Sequence, residues 1–257
     1  LDNSKREWSV KVYDYLLQTR ERRGAGYLVL FDPDKEDVVQ AAARAELCQE
    51  AGVDALLVGG SLLLRPTFEQ LLQELKRRLT IPLIIFPGGV RQVSPHADAI
   101  LFMSLVSGRN AEHLIGDQVV AAPLVKACGI EPIPTAYLLI ESGQTTSAEY
   151  MSNTRPIPRH KPDIAAATAL AAEYLGMKLV YLEAGSGAAH SVPVEMIKVV
   201  SSCITLPVVV GGGITSPEEA RAKVEAGAAF VVTGNVLEGD NSPNVVRRFA
   251  QAVHMRE

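Results

Sequence analysis

Glu183 stands where an apolar run, residues 178–182, breaks into Gly185, Ser186 and Gly187. A carboxylate at a strand end, beside backbone that a ligand can approach closely, is the layout of an active site. Two further apolar runs also end in glycine. Residues 208–214 close on Gly212 and Gly213, and residues 230–235 on Gly234 and Asn235. Backbone N–H groups at such turns hold phosphate with no side chain in the way, helped by the dipole of a following helix. One such ending is an ordinary tight turn; three suggest a shared ligand. Gly185-Ser186-Gly187 falls short of the dinucleotide fingerprint, whose third glycine is missing here. A second group of chemical residues lies far upstream, at Asp32-Pro33-Asp34-Lys35. Asp34 is placed to cap the helix that follows, whereas Asp32, at the strand end, is the better cation ligand. Either carboxylate also has a purely structural use. Ser61 ends the next strand and offers a hydroxyl oxygen. An Asp and a Ser make the thin shell that magnesium commonly takes, the remaining ligands being waters and substrate phosphates, so a diphosphate fits it.

The elements that position these residues alternate regularly. A leading helix carries Trp8, Val12, Tyr15, Leu16 and Thr19 at helical spacing and stops at Gly24. Strands are then predicted at residues 27–31, 54–58, 83–86, 98–103, 133–140, 178–182, 206–210 and 230–233, and helices at 36–52, 68–79, 110–128, 164–175, 194–201, 216–226 and 244–253. Ser216-Pro217 with Glu219 reads as a capping box. No helical pattern separates the third strand from the fourth. Residues 141–162 are too long for a routine connection and too varied for a linker, which points to a functional loop over the site. Eight strand and helix alternations in one chain of 257 residues predict a single α/β domain over residues 1–257, a (β/α)8 barrel lacking its third helix and carrying an extra N-terminal helix.

Bulk properties remove other classes. With 47% apolar and 5% aromatic residues the core is predicted to be aliphatic, as buried parallel strands are. A net charge of −4, with no basic block, leaves no footprint for nucleic acid. No run approaches the ~20 apolar residues of a spanning helix, and the polar start shows no apolar leader, so neither a transmembrane segment nor a signal peptide is expected. Cys48, Cys128 and Cys203 are widely spaced in apolar surroundings and read as reduced core thiols, from which a cytoplasmic address is expected. His96, His113, His160, His190 and His254 are scattered, with no HExxH, CxxC or paired histidines at ligand spacing; they read as surface or packing residues, and no transition-metal site is expected.

FDPDK, GGS, FPGG, SPHADAILFMSL, YLEAGSGA, VVGGGI and TGN occur in this order between Leu30 and Val236. Together they resemble the geranylgeranylglyceryl phosphate synthase family, which includes the heptaprenylglyceryl phosphate synthases. The resemblance implies a magnesium-dependent prenyltransferase that joins sn-glycerol 1-phosphate to a long prenyl diphosphate on a barrel without a third helix. Asp32 and Ser61 would then be the magnesium ligands. Tyr181, Leu182, Glu183, Ala184, Gly185, Ser186, Gly187, Gly212, Gly213, Gly234 and Asn235 would form the glycerol phosphate site. Glu183 would take the hydroxyl proton, and Tyr181 would either orient the glycerol or simply pack. Leu101, Met103, Leu105, Tyr137 and Leu139 would line the prenyl trough or belong to the core. The family is also expected to form homo-oligomers and to meet a membrane surface for product release. Where that family commonly reads SLLNS, this chain has SLVSGRN at residues 104–110, and its 141–162 insertion favours the geranylgeranyl donor. Two other readings fit the phosphate grip alone: a phosphosugar isomerase or lyase, and a non-catalytic barrel that binds a phosphate ligand.

Overall fold

The computed structural model describes residues 10–35, 37–234 and 243–256. Eight parallel strands close into a barrel in sequence order: β1 (Gly26–Phe31), β2 (Ala55–Val58), β3 (Leu83–Ile85), β4 (Ala99–Ser104), β5 (Glu131–Leu139), β6 (Leu179–Glu183), β7 (Val208–Gly211) and β8 (Phe230–Thr233). β8 returns to β1 with Phe230 opposite Gly26, which completes the ring. Gly26 is required there, because a Cβ at that position would come within 2.7 Å of the Phe230 ring.

Side chains alternate along each strand and sort into two layers. Leu28, Leu57, Leu101, Tyr181, Val209 and Val232 fill the barrel, while Val29, Val58, Ile100, Leu182 and Val210 face the surrounding helices. The lower end is closed by α1 (Val12–Arg23), whose Val12 and Leu16 join the barrel interior. The Val12 N–H donates to Glu131 at 2.6 Å and the Tyr15 hydroxyl to the Asp54 carbonyl at 3.2 Å, both at strand starts. The expected extra N-terminal helix is therefore a plug at the end opposite the site.

The outer ring consists of α2 (Val38–Glu50), α3 (Phe68–Arg78), α4 (Asp117–Cys128), α6 (Pro162–Tyr174), α7 (Val194–Cys203), α8 (Pro217–Glu225) and α9 (Pro243–Val253), while the short α5 (Ser147–Ser152) lies in the segment after β5, at the C-terminal ends of the strands. Residues 86–98 pass from β3 to β4 without a helix, as the sequence predicts. Asp37, not Asp34, caps α2: its carboxylate accepts the Val39 and Gln40 N–H groups. Asp34 instead accepts the Arg65 N–H at 2.9 Å and so holds the loop after β2. The predicted 110–128 helix begins with a π-helical turn, Glu112–Gly116. There the His113 carbonyl is drawn away to the Leu105 N–H and the Gln118 side chain, which loosens the helical ladder. Only Cys48 is a core thiol, since Cys128 is half-buried and Cys203 is exposed at the end of α7.

Candidate active site

A cavity of about 800 Å³ opens at the C-terminal ends of the strands. Asp32, Ser61, Tyr181, Glu183, Gly185, Ser186, Gly187, Gly212, Gly213 and Gly234 all line it. Strand alternation brings Tyr181 and Glu183 inward together, and for the same reason it turns Leu182 and Ala184 outward. Of the expected ligand set those two do not line the cavity: their side chains lie in the layer between barrel and helices. The Ala184 N–H is also engaged, by the Gly211 carbonyl at 3.1 Å. Asn235 lies outside the described residues.

Glu183 is 6% exposed and accepts the Gly185 N–H at 2.6 Å. Burial raises its carboxyl from the ordinary 4.5 to about 7, and the Gly185 N–H and the Tyr181 hydroxyl only partly oppose this. A carboxyl poised near neutrality is suited to take and return a proton. The Tyr181 hydroxyl is within electrostatic reach of Glu183, yet it is buried and makes no well-formed hydrogen bond to the protein. Burial, and then the neighbouring Glu183, push the Tyr181 phenol well above its usual range, so it stays a donor. A hydroxyl on the cavity wall whose contact with Glu183 is not a well-formed hydrogen bond can donate to a ligand oxygen instead. Its ring stacks on Phe86 at 5.3 Å and tilts against Tyr137 at 5.5 Å. These three rings fix Tyr181 at the centre of the mouth.

The two glycine turns beside Glu183 interlock. Gly212 has φ +82°, and a Cβ there would lie 2.3 Å from Glu183 Oε1 and 2.5 Å from the Gly185 nitrogen. Gly185, at φ +99°, would likewise collide with Thr146 of the 141–162 insertion. That insertion therefore sits directly on the glycine loop after β6, with α5 contributing Ser147, Ala148, Met151 and Ser152 to the cavity. Among the described lining residues Lys35 is the one Lys or Arg, and it stands at the Asp32 end. At the glycine end the cavity therefore presents backbone and no cationic side chain among the described residues.

Asp32 accepts the Asp34 N–H at 3.0 Å and faces the turn that carries Ser61: a Cβ on the intervening Gly60 would lie 3.4 Å from Asp32 Oδ1. Gln92, from the stretch that replaces the third helix, holds this turn by donating to the Gly60 carbonyl at 2.7 Å. No group of three or more His, Cys, Asp or Glu able to hold a metal occurs among the described residues. A single carboxylate with a hydroxyl fits magnesium, which retains most of its waters, and not zinc.

Leu101, Met103, Leu105, Tyr137 and Leu139 line the remainder of the cavity, joined by Val93, Ile100, Phe102 and Ala121. Ile100 and Phe102 point outward from β4, so the cavity crosses the barrel rim into the gap left by the missing helix. Half-buried His113 borders this groove, with Nδ1 2.8 Å from Asp117 Oδ2. The outward residues escaped sequence reading because a gap between helices has no local pattern. Phe86 had a signal, since it precedes Pro87-Gly88-Gly89 at a strand end.

The PcrB family pattern matches residues 17–253. The chain belongs to the PcrB family. PcrB-family relatives include the geranylgeranylglyceryl phosphate synthase of Chitinophaga pinensis, 43% identical over 244 residues, which are 95% of this chain and 96% of that one. The synthase of the same name from Pyrococcus horikoshii is 44% identical over 244 residues, 95% of each chain. Among solved structures, (S)-3-O-geranylgeranylglyceryl phosphate synthase of Thermoplasma acidophilum, in complex with its substrate sn-glycerol 1-phosphate, matches with a TM-score of 0.91 at 35% identity, over 95% of this chain and 99% of that one. A thiamine phosphate pyrophosphorylase from Pyrococcus furiosus, 15% identical with a TM-score of 0.59, covers 91% of this chain and 97% of that one and shares the fold alone. No helix among the described residues is long and apolar enough to cross a membrane.

Proposed function

We propose that this chain joins sn-glycerol 1-phosphate to a long allylic prenyl diphosphate, with geranylgeranyl the favoured donor, giving 3-O-geranylgeranylglyceryl phosphate and diphosphate. One observation carries the reading: a single cavity joins a glycine-lined anion site, a buried carboxyl near neutrality and an apolar groove, in a fold shared with a synthase that binds sn-glycerol 1-phosphate.

In this reading the phosphate rests on the Gly185 to Gly187 and Gly212 to Gly213 backbone, with Gly234 and Asn235 completing the grip. That leaves the far hydroxyl of the glycerol beside Glu183, and Tyr181 donates a hydrogen bond to a glycerol oxygen. The hydroxyl oxygen attacks the first carbon of the prenyl chain. Its C–O bond to the diphosphate breaks, the diphosphate leaves with the bonding electrons, and the released proton passes to Glu183. Holding both reactants in one cavity removes much of the entropic barrier of a two-substrate reaction. Asp32 and Ser61 would hold magnesium, which when bound neutralises the diphosphate and makes it a better leaving group. Lys35 supports the same charge from the same end. The groove across β4 takes the prenyl tail and keeps water from its reacting end.

Half-exposed Leu62 and Met151 at the rim support release of the amphiphilic product to a membrane surface. Exposed Ile115, Val119, Val120 and Leu124 support contact between copies in a homo-oligomer, which light scattering would reveal as a mass at least twice that of the chain. The reading is tested by incubating the protein with magnesium, radiolabelled sn-glycerol 1-phosphate and either geranylgeranyl or heptaprenyl diphosphate. Label entering the organic phase, faster with geranylgeranyl, is expected. Absence of transfer with both donors refutes the proposal.

A further inference from the structure

Two charged residues on α8 take no part in the chemistry above, yet they bond to both glycine loops. Glu219 accepts hydrogen bonds from the Ser191 hydroxyl and, at 2.9 Å, from the Thr215 N–H. One turn further along α8, Lys223 is only 5% exposed at its side chain and donates to the Val192 carbonyl at 2.7 Å, with Nζ 3.7 Å from Glu219 Oε1. Ser191 and Val192 belong to the loop that begins with Gly185, Ser186 and Gly187. Thr215 ends the loop that begins with Gly212 and Gly213. The two loops already touch, since a Cβ on Gly213 would lie 3.0 Å from the Ser191 nitrogen and 3.2 Å from Ala188 Cβ.

A helix end needs no buried ammonium for its own sake. Removing a cation from water costs stability, which shows in the lowered pKa of Lys223, and an apolar chain of similar length would fill the space. What the ammonium adds is a fixed tie from α8 to the neighbouring loop. Such a tie matters more here than in most phosphate sites. With no Lys or Arg among the described lining residues at this end, affinity depends on backbone N–H groups whose hydrogen bonds weaken steeply with misalignment. We propose that Glu219 and Lys223 are positioning residues for the phosphate grip: they set the spacing and orientation of the two glycine loops and thereby the affinity for glycerol phosphate.

This inference rests on the glycerol phosphate reading, and its test separates the two. Calorimetric titration of the full chain with sn-glycerol 1-phosphate is paired with steady-state kinetics for both substrates. Lys223→Met is expected to weaken binding and raise KM for sn-glycerol 1-phosphate about tenfold, while kcat at saturation and KM for the prenyl diphosphate stay within about twofold. Ser191→Ala and Glu219→Gln shift the same KM in the same direction, and they carry the test if Lys223→Met does not fold. A folded Lys223→Met variant with unchanged affinity overturns the inference. So does a lowered melting temperature with both KM values unmoved, which marks a purely structural tie. Wild-type protein that binds no sn-glycerol 1-phosphate overturns the functional reading and this inference with it; wild-type binding that ignores every substitution overturns the positioning role alone.

Discussion

Replacing Glu183 by glutamine should slow the reaction severely and, above neutral pH, make the protein more stable. Burial raises the carboxyl from 4.5 to about 7. Proton abstraction needs the ionised form, so kcat should rise with pH with a midpoint near that value. A single ionisation of this kind changes the active fraction about tenfold between about pH 6 and about pH 8. A phosphate monoester itself ionises near pH 6, so the measurement is made on kcat with both substrates saturating. Glu183→Gln keeps the shape and can still accept the Gly185 N–H, but it cannot take a proton, and the loss expected is about 10²- to 10⁴-fold. The stability effect follows from the same shift. Between pH 4.5 and about 7 the unfolded chain has released this proton while the folded protein retains it, and above 7 the folded protein must bury the charge. Wild-type stability is therefore lost as pH rises through this window, by up to about 3 kcal/mol, and the glutamine variant is spared. Denaturant unfolding of both proteins at about pH 4 and pH 8 reads it: the curves should lie close together at the lower pH and separate at the higher. A flat kcat profile, or a variant no more stable than wild type at pH 8, would refute the assignment of Glu183 as a buried base.

Other expectations follow from the same geometry. Gly212→Ala places a methyl 2.3 Å from Glu183 Oε1 at φ +82°, so it should cost about 1–3 kcal/mol in thermal melts and weaken sn-glycerol 1-phosphate binding in calorimetry. Asp32→Ala should raise the magnesium concentration needed for half-maximal rate and the KM for prenyl diphosphate, leaving sn-glycerol 1-phosphate binding by calorimetry unchanged; equal weakening of both ligands would remove Asp32 from the metal role. Ala121→Trp fills the groove beyond β4, so the ratio of kcat/KM for a short allylic diphosphate to that for geranylgeranyl diphosphate should rise, and an unchanged ratio would place the tail elsewhere.

Much of this architecture is written locally in the chain, because a (β/α)8 barrel repeats one unit and places its chemistry at strand ends. Asp32, Ser61, Glu183 and the glycine turns are visible for that reason, and the missing third helix shows as an absence of periodicity in residues 86–98. The outward side chains of Leu182 and Ala184 are legible too, since a strand that turns Glu183 inward turns both its neighbours outward. Asp34 and Asp37 are equally good caps on paper. The choice between them depends on a loop contact, Asp34 with Arg65, across 31 positions. Nothing local marks Ile100, Phe102 or Ala121 as groove residues, because the groove exists only where two distant helices fail to meet. The tie from Lys223 to Val192 spans 31 positions in the same way and leaves only its capping glutamate, Glu219, as a sequence trace.

The central claim is that a glycerol hydroxyl oxygen displaces diphosphate from the prenyl carbon within this cavity. It is tested most directly with sn-glycerol 1-phosphate carrying oxygen-18 in the hydroxyl farthest from the phosphate, turned over with geranylgeranyl diphosphate and magnesium, with both products weighed by mass spectrometry. The account predicts that the heavy oxygen appears in the ether lipid and that the released diphosphate is unlabelled. Heavy oxygen lost from the lipid, or no ether product at all, would contradict it.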